Sequence, residues 1–281
     1  MKKIILIPVF NDWKSLNFLL IQINNQVKRI GSIQILIIND ASTQKITIKK
    51  KKFNKIKKIK ILNLKKNLGS QKAISVGLDY LYKIKKSFYL TIMDGDGEDN
   101  PNQLNKMIDL ASKNKNFVIT SHREKRNENL IIKFGYNLHL IISFLFTWEW
   151  ISFGNFSTFH SKNLKKINTN DVWYAYSSAI LKNCKIIKTF SERQKRYFDN
   201  SKVGLLNLVE HSMRIMVVFY KRVLFTSLII LFLSFFINEK MFLLSLILIF
   251  FFNSLLNLVR SKNKPVASII CDNFIKSVNY Y

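Results

Sequence analysis

Cysteine is almost missing from this chain, and that shortage alone removes several kinds of protein. Only Cys184 and Cys271 occur among 281 residues, far apart and in no metal-ligand spacing. A disulfide framework and a structural zinc site are both excluded. Histidine is nearly as scarce, and His122, His139, His160 and His211 share no ligand spacing either. Acid is the third shortage: 17 Asp and Glu stand against 45 Lys and Arg, a net charge of +28. Such a balance invites a nucleic-acid reading, yet no Gly-rich or aromatic-interleaved basic motif accompanies it. The excess is mostly Lys among abundant Ile, Asn and Phe, a bias of the whole composition, so no nucleic acid is expected as a partner. A basic surface beside an anionic membrane is the simpler use. The opening MKKIILIPVFND imitates a signal peptide, but its apolar run is too short and no small-residue cleavage site follows. It reads as a first strand.

The little acid there is gathers in one place. In MDGDGEDNP, from Met93 to Pro101, the carboxylates of Asp94, Asp96, Glu98 and Asp99 crowd together directly after the apolar run Phe88–Ile92. Acids this close repel one another unless something positive sits among them, and a hard divalent cation with oxygen ligands is the natural candidate. A solvated acidic turn is the competing reading. The EF-hand template does not fit, because Asp99 stands at its glycine position and Asn105 at its final glutamate.

Around that stretch, strand and helix patterns alternate. Ile4–Val9 is a buried-strand pattern ending in Asn11 and Asp12. Trp13–Ile30 carries Leu16, Leu19, Leu20, Ile23 and Val27 at helical spacing. Ile33–Ile38 is a second strand, closed by the turn-forming Asn39-Asp40-Ala41-Ser42-Thr43, and Ile59–Leu64 follows the Lys-rich segment 49–60 as a third. Asn67-Leu68-Gly69 opens a helix through Tyr82 whose N-terminus is suited to face a phosphate, although a plain turn explains the Gly as well. Pro101 sits near the first turn of the next helix, and Phe117–Ser121 is a further strand. The alternation predicts a mostly parallel α/β sheet, in which ligands bind beyond the carboxyl ends of the strands. Asp12, Asp40 and Asp94 all fall at such ends.

The middle of the chain is less regular. It offers an apolar helix over Asn137–Trp150, aromatics at Val172–Tyr176 that read as core, and a basic group of Arg193, Arg196 and Lys202. Arg in a Lys-rich chain is notable because its planar fork grips phosphate. Lys202–Tyr220 is amphipathic and suits a membrane surface. Beyond Lys221 and Arg222, the apolar segments Val223–Ile237 and Met241–Val259 are separated only by Asn238-Glu239-Lys240. A spanning helix takes about 20 residues, so a two-helix transmembrane hairpin is expected, with a hairpin buried in a soluble core as the alternative. Basic residues at both outer ends place those ends, and the domain before them, on the cytoplasmic side.

Taken together these motifs resemble the family-2 glycosyltransferases of the GT-A fold, particularly membrane-anchored ones similar to polyprenyl-phosphate sugar transferases. The resemblance runs from residue 4 to about residue 215. Ile7-Pro8-Val9-Phe10-Asn11-Asp12 is similar to the first nucleotide-binding loop, where the family more often has Tyr and Glu in place of Phe10 and Asp12. Asn39-Asp40-Ala41-Ser42 is similar to the second, Asp94-Gly95-Asp96 to the metal (DXD) motif, and Arg193-x-x-Arg196 with Lys202 to a basic motif for acceptor phosphate. Asp199 departs from a usual Gly, and Asn155 stands where many relatives carry an acid.

The resemblance implies a metal-dependent enzyme of the hexosyltransferase class that takes a nucleotide-sugar donor. Pro8, Phe10, Asp12, Asp40, Lys72 and Asp94 would hold the donor, and Asp96 and Glu98 would hold Mg2+ or Mn2+. Asp94, Asp96, Asn155, Arg193 and Arg196 would serve the reaction, with Arg123, Arg193, Arg196 and Lys202 receiving the acceptor phosphate. For Lys72 and Arg123 an ordinary surface charge is the competing reading. Asn cannot act as a general base, which suits a lipid monophosphate already anionic at neutral pH. A glycan or glycolipid hydroxyl as acceptor, a catalytically silent nucleotide-binding scaffold, and a homo-oligomer all stay open. The expected organisation is a GT-A domain over 1–200, an amphipathic helix over 201–222, a hairpin over 223–259 and a cytoplasmic tail over 260–281.

Overall fold

The computed structural model describes residues 1–27, 31–48, 53–84, 86–123, 130–192, 194–198, 205–265 and 271–281. Two units divide the chain: Met1–Arg126, Phe153–Ser201 and Ala267–Tyr281 form the first, Asn127–Ser152 and Lys202–Val266 the second.

The first unit is built on an eight-stranded sheet. Its strands are β1 (Lys2–Val9), β2 (Ile33–Asn39), β3 (Ile56–Leu64), β4 (Phe88–Ile92), β5 (Phe117–Arg123), β6 (Phe153–His160), β7 (Lys185–Ser191) and β8 (Ile275–Tyr280), in the order β7-β5-β6-β4-β1-β2-β3-β8. β1 pairs in parallel with β2 and β4, as do β2 with β3 and β5 with β7. β6 is antiparallel to both β4 and β5, and β8 antiparallel to β3. Helices α1 (Trp13–Gln26), α2 (Ser70–Tyr82) and α3 (Leu104–Lys113) connect the parallel strands.

The central strands β1, β2 and β4 are largely apolar because both faces of the sheet are covered there. Along β1, Ile4 and Leu6 join a core with Ala73, Ile74 and Leu78 of α2, while Ile5, Ile7 and Val9 join a second core with Leu16, Leu19 and Leu20 of α1 and Met107 of α3. After β3 the chain crosses to the far side of β1 to lay down β4. The strand order therefore reverses at β1, which opens a crevice beyond the carboxyl ends of β1, β2 and β4, where open α/β sheets bind ligands.

The second unit holds α4 (Leu130–Thr147). Back in the first unit lie the short α5 (Leu164–Ile167) and α6 (Asn170–Tyr174), followed by α7 (Tyr176–Asn183). The second unit continues with α8 (Leu205–Val218), α9 (Tyr220–Ile237) and α10 (Glu239–Lys262), and α11 (Cys271–Phe274) leads into β8. α9 and α10 are long and apolar enough to cross a membrane and pack together as a hairpin, with Phe236 and Phe250 left 70% and 75% exposed. Inside the hairpin, Ser234 bonds Ser245 at 2.6 Å and Asn253 donates to Ser227 at 3.0 Å, polar contacts that link the two apolar helices.

Several boundaries differ from those the sequence suggests. α4 begins at Leu130 and ends at Thr147, because Trp148 turns into the left-handed region at φ 61°. β3 starts at Ile56 rather than Ile59, so Lys57 and Lys58 of the Lys-rich segment lie on the strand, with both side chains exposed. Residues 28–30, the expected end of the first helix, lie outside the described residues. The segment 260–281, expected as a tail, contributes β8 to the sheet edge.

Candidate active site

Three loops meet at the crevice. The first follows β1, where Asp12 caps α1 by accepting from the Ser15 amide at 3.2 Å. Asn11, at φ 50°, ties this loop to the second. Its carboxamide oxygen accepts from the amides of Thr43 and Gln44 at 2.8 and 3.1 Å, and its own amide donates to Ser42 Oγ at 3.0 Å. Asp40, buried at the end of β2, accepts from the amides of Leu68 and Gly69 at 2.7 and 2.8 Å. Burial raises the Asp40 pKa against the pull of those two amides and of the Lys72 charge. Gly69 stands at φ 85°, a conformation that L side chains resist, and so lets the chain turn into α2 directly over Asp40.

The third loop is the acidic one after β4. Asp99 folds it, accepting from the Asp94 amide at 2.9 Å, and Asp96 accepts from the Glu98 amide at 3.0 Å. Over it lies the segment 194–198. Gln194 donates its amide to the Glu98 carbonyl and Tyr197 to the Asp96 carbonyl, each at 3.1 Å. The Tyr197 ring rests where a Cβ on Gly97 would stand, so only Gly fits beneath it. Phe18 meets that ring edge-on at 4.6 Å, and Lys14 lies 4.0 Å from the centre of the Phe198 ring.

Among the described residues, Arg196 is the cation bonded to the acidic loop. Its guanidinium bonds Asp96 Oδ2 through Nη2 at 2.9 Å and Glu98 Oε1 through Nε at 3.0 Å. Burial, and next to it the charge of Asp94, push Asp96 up to about 6 despite the Glu98 amide and Arg196. Burial opposes the charge on Arg196, but Asp96 and Glu98 outweigh it and hold the guanidinium above its ordinary pKa.

Asp96 and Glu98 fit a hard divalent cation. Both are oxygen donors, and both converge on one positive group, the Arg196 guanidinium. Among the described residues no three His, Cys, Asp or Glu side chains surround one point. Two carboxylates match the way Mg2+ is commonly held, by one or two protein acids with substrate phosphates and water completing the shell.

Residues 4–183 match the profile of Glycosyl transferase family 2. The chain belongs to that family. A curated relative, the uncharacterized glycosyltransferase sll0501 of Synechocystis sp., is 27% identical over 133 residues, 46% of this chain and 40% of its own length. The chain thus matches less than half of that relative. Among solved structures, Staphylococcus aureus TarS 1-349 in complex with UDP-GlcNAc has TM-score 0.52 and 14% identity, covering 97% of this chain and 89% of TarS. The Pyrobaculum calidifontis mannosyltransferase in complex with GDP-Man and Mn2+ has TM-score 0.51 and 11% identity, over 79% of this chain and 64% of that one. At these identities the likeness is one of fold, the GT-A fold.

The expected site residues of this family-2 chain distribute unevenly. Pro8 is buried in β1, and Phe10, 44% exposed, stands at the mouth of the first loop. Lys72 lies 5.5 Å from the centre of the Trp173 ring. Arg123 ends β5, its side chain outside the described set, and Arg193 and Lys202 lie outside the described residues altogether. Asn155 is buried in β6 and donates to Asp94 Oδ1 at 2.9 Å.

Two residues with no role assigned from the sequence take part in the site. Asn11 joins the first two loops, and Gln71 donates to Asn155 at 3.1 Å. Gln71 gave one signal, a polar residue on the buried face of an otherwise apolar helix.

Proposed function

We propose that this protein is a membrane-anchored, metal-dependent, inverting hexosyltransferase that moves a sugar from a nucleotide-sugar donor to a polyprenyl phosphate. The observation that carries the reading is the meeting of Asp96 and Glu98 at one cationic group, beyond the carboxyl ends of parallel strands in a family-2 chain. The structural relatives crystallised with UDP-GlcNAc and with GDP-Man and Mn2+ support a nucleotide-sugar donor and a divalent ion.

Phe10, Asp12 and Asp40 border the nucleoside, and Asp94 supports the ribose or the metal. Asp40 already holds two amides, and its remaining lone pairs serve the donor. Asp96 and Glu98 hold Mg2+ or Mn2+, which when bound neutralises charge on the leaving diphosphate. An acceptor phosphate oxygen attacks the anomeric carbon from the face opposite the diphosphate. The bond from that carbon to the donor oxygen breaks, and the nucleoside diphosphate leaves with the electron pair. No proton has to be removed from the acceptor, in keeping with an amide rather than an acid at Asn155. Arg193, Arg196, Lys202 and Arg123 draw in the acceptor phosphate. Arg196, now bonded to Asp96 and Glu98, would be available to the acceptor phosphate if those two acids held a divalent ion instead.

Residues 1–200 make the catalytic part, 201–222 lie along the membrane surface, and 223–259 cross it twice. Because β8 returns to the catalytic sheet, both ends of the hairpin belong on one side, the cytoplasmic one by their Lys and Arg. Labelled donors offered with a polyprenyl phosphate or with glycan hydroxyls test the acceptor. Sugar incorporation into the lipid phosphate is expected, and incorporation into glycan alone overturns that choice. Asp96→Ala and Glu98→Ala should each lower metal-dependent turnover at least about 100-fold.

A further inference from the structure

We infer that Gln71 is a positioning residue for the transfer, the middle of a one-way hydrogen-bond relay that fixes how Asn155 meets Asp94. The inference rests on the proposed glycosyl transfer and adds a residue to its site.

The direction of the relay follows from one group that can only donate. The Tyr176 backbone N–H, at the first turn of α7, donates to Gln71 Oε1 at 2.7 Å. With its oxygen held there, Gln71 turns its NH2 to Asn155 Oδ1 at 3.1 Å. Asn155 must then aim its own NH2 outward, and it meets Asp94 Oδ1 at 2.9 Å. An amide's oxygen and nitrogen are nearly the same size, so packing alone does not choose between the two orientations. Turned the other way, Asn155 would press a carbonyl oxygen against a carboxylate.

A second arm from the same tyrosine holds the Asn155 backbone. Ser157 Oγ donates to the Asn155 carbonyl at 3.2 Å, so the Tyr176 hydroxyl supplies the proton of the 2.6 Å bond to Ser157. Gln71 and Asn155 are each 8% exposed and Tyr176 is fully buried, so water does not substitute for either arm. Position 155 is thereby committed as a donor to Asp94. The Gln71 side chain bonds the Tyr176 amide and Asn155, and acts on Asp94 through Asn155.

A double-mutant cycle on the purified full chain tests this. Gln71→Glu keeps the acceptor for Tyr176 but removes the donor, which turns Asn155 around. With Asn155 present it should lower kcat about 10- to 100-fold, the range of a hydrogen bond to a charged group, and leave the donor KM within about threefold. In the Asn155→Ala background the same change should alter kcat less than about twofold, since nothing is left to orient. Gln71→Met runs the cycle without a buried charge, and thermal melts follow folding in every variant. An equal loss in both backgrounds, or a raised KM with unchanged kcat, overturns the relay. A wild type active on nucleotide sugars whose Gln71 variants keep full kcat also overturns it. A wild type that turns over none refutes the glycosyl-transfer reading, a separate result.

Discussion

Arg196 sits where two acids need a cation, and its dual claim on the site gives a prediction of opposite sign to the usual one. Arg196→Met should tighten Mn2+ binding about tenfold in calorimetry, equivalent to roughly 1.4 kcal/mol, because a metal no longer displaces two charge-assisted bonds. Transfer to a phosphate acceptor should fall in the same variant. Unchanged metal affinity would mean that the guanidinium does not compete. His122 gives a second prediction at this scale. Burial, with Lys188 nearby, lowers it to about 4, so the folded chain refuses a proton that the unfolded chain accepts near 6.5. The contribution of His122 to stability should therefore decline as pH falls from about 6.5 towards 4, and His122→Gln should lessen the slope over that window in melts followed by circular dichroism. The acids of the third loop were legible in the sequence because four of them interrupt a basic chain. Gln71 and Asn11 were not, since their partners lie 84 and about 32 residues away and nothing local marks a long-range amide.

At the scale of elements, parallel strands and their connecting helices were readable from continuous apolar runs, and β1, β2 and β4 lie close to where the sequence puts them. β6 escaped notice because Phe153–His160 mixes Gly, Asn, Ser, Thr and His with its aromatics, and several of these polar residues find partners distant in sequence, as in the 2.8 Å bond of Thr91 to Thr158. β8 escaped because its partner β3 lies some 200 residues earlier. The strap formed by 194–198 depends on the acidic loop below it. Gly97→Ala adds a Cβ at φ 91° in the place of the Tyr197 ring. The left-handed backbone alone costs about 1–2 kcal/mol, and the strap must lift as well. A lowered melting temperature together with faster proteolysis near residue 195 is the expected outcome, and an unchanged cleavage pattern would separate the strap from the loop.

For the whole molecule, the sequence announced two apolar helices but not the return of the chain to the sheet through β8. That return predicts a topology. In sealed vesicles, a membrane-impermeant thiol reagent should reach Lys221→Cys and Lys264→Cys from one face and Asn238→Cys from the other, in a background lacking Cys184 and Cys271. Labelling of all three from a single face would mean that the hairpin does not cross. The central claim, that the crevice at β1, β2 and β4 is a metal-assisted nucleotide-sugar site, is tested most directly by calorimetry. Purified full chain would be titrated with UDP-, GDP- and dTDP-sugars, with and without Mn2+. At least one donor should bind far more tightly with Mn2+ than without it, and Asp96→Ala should abolish that difference. Absence of binding across the whole panel in the presence of the metal would contradict the claim.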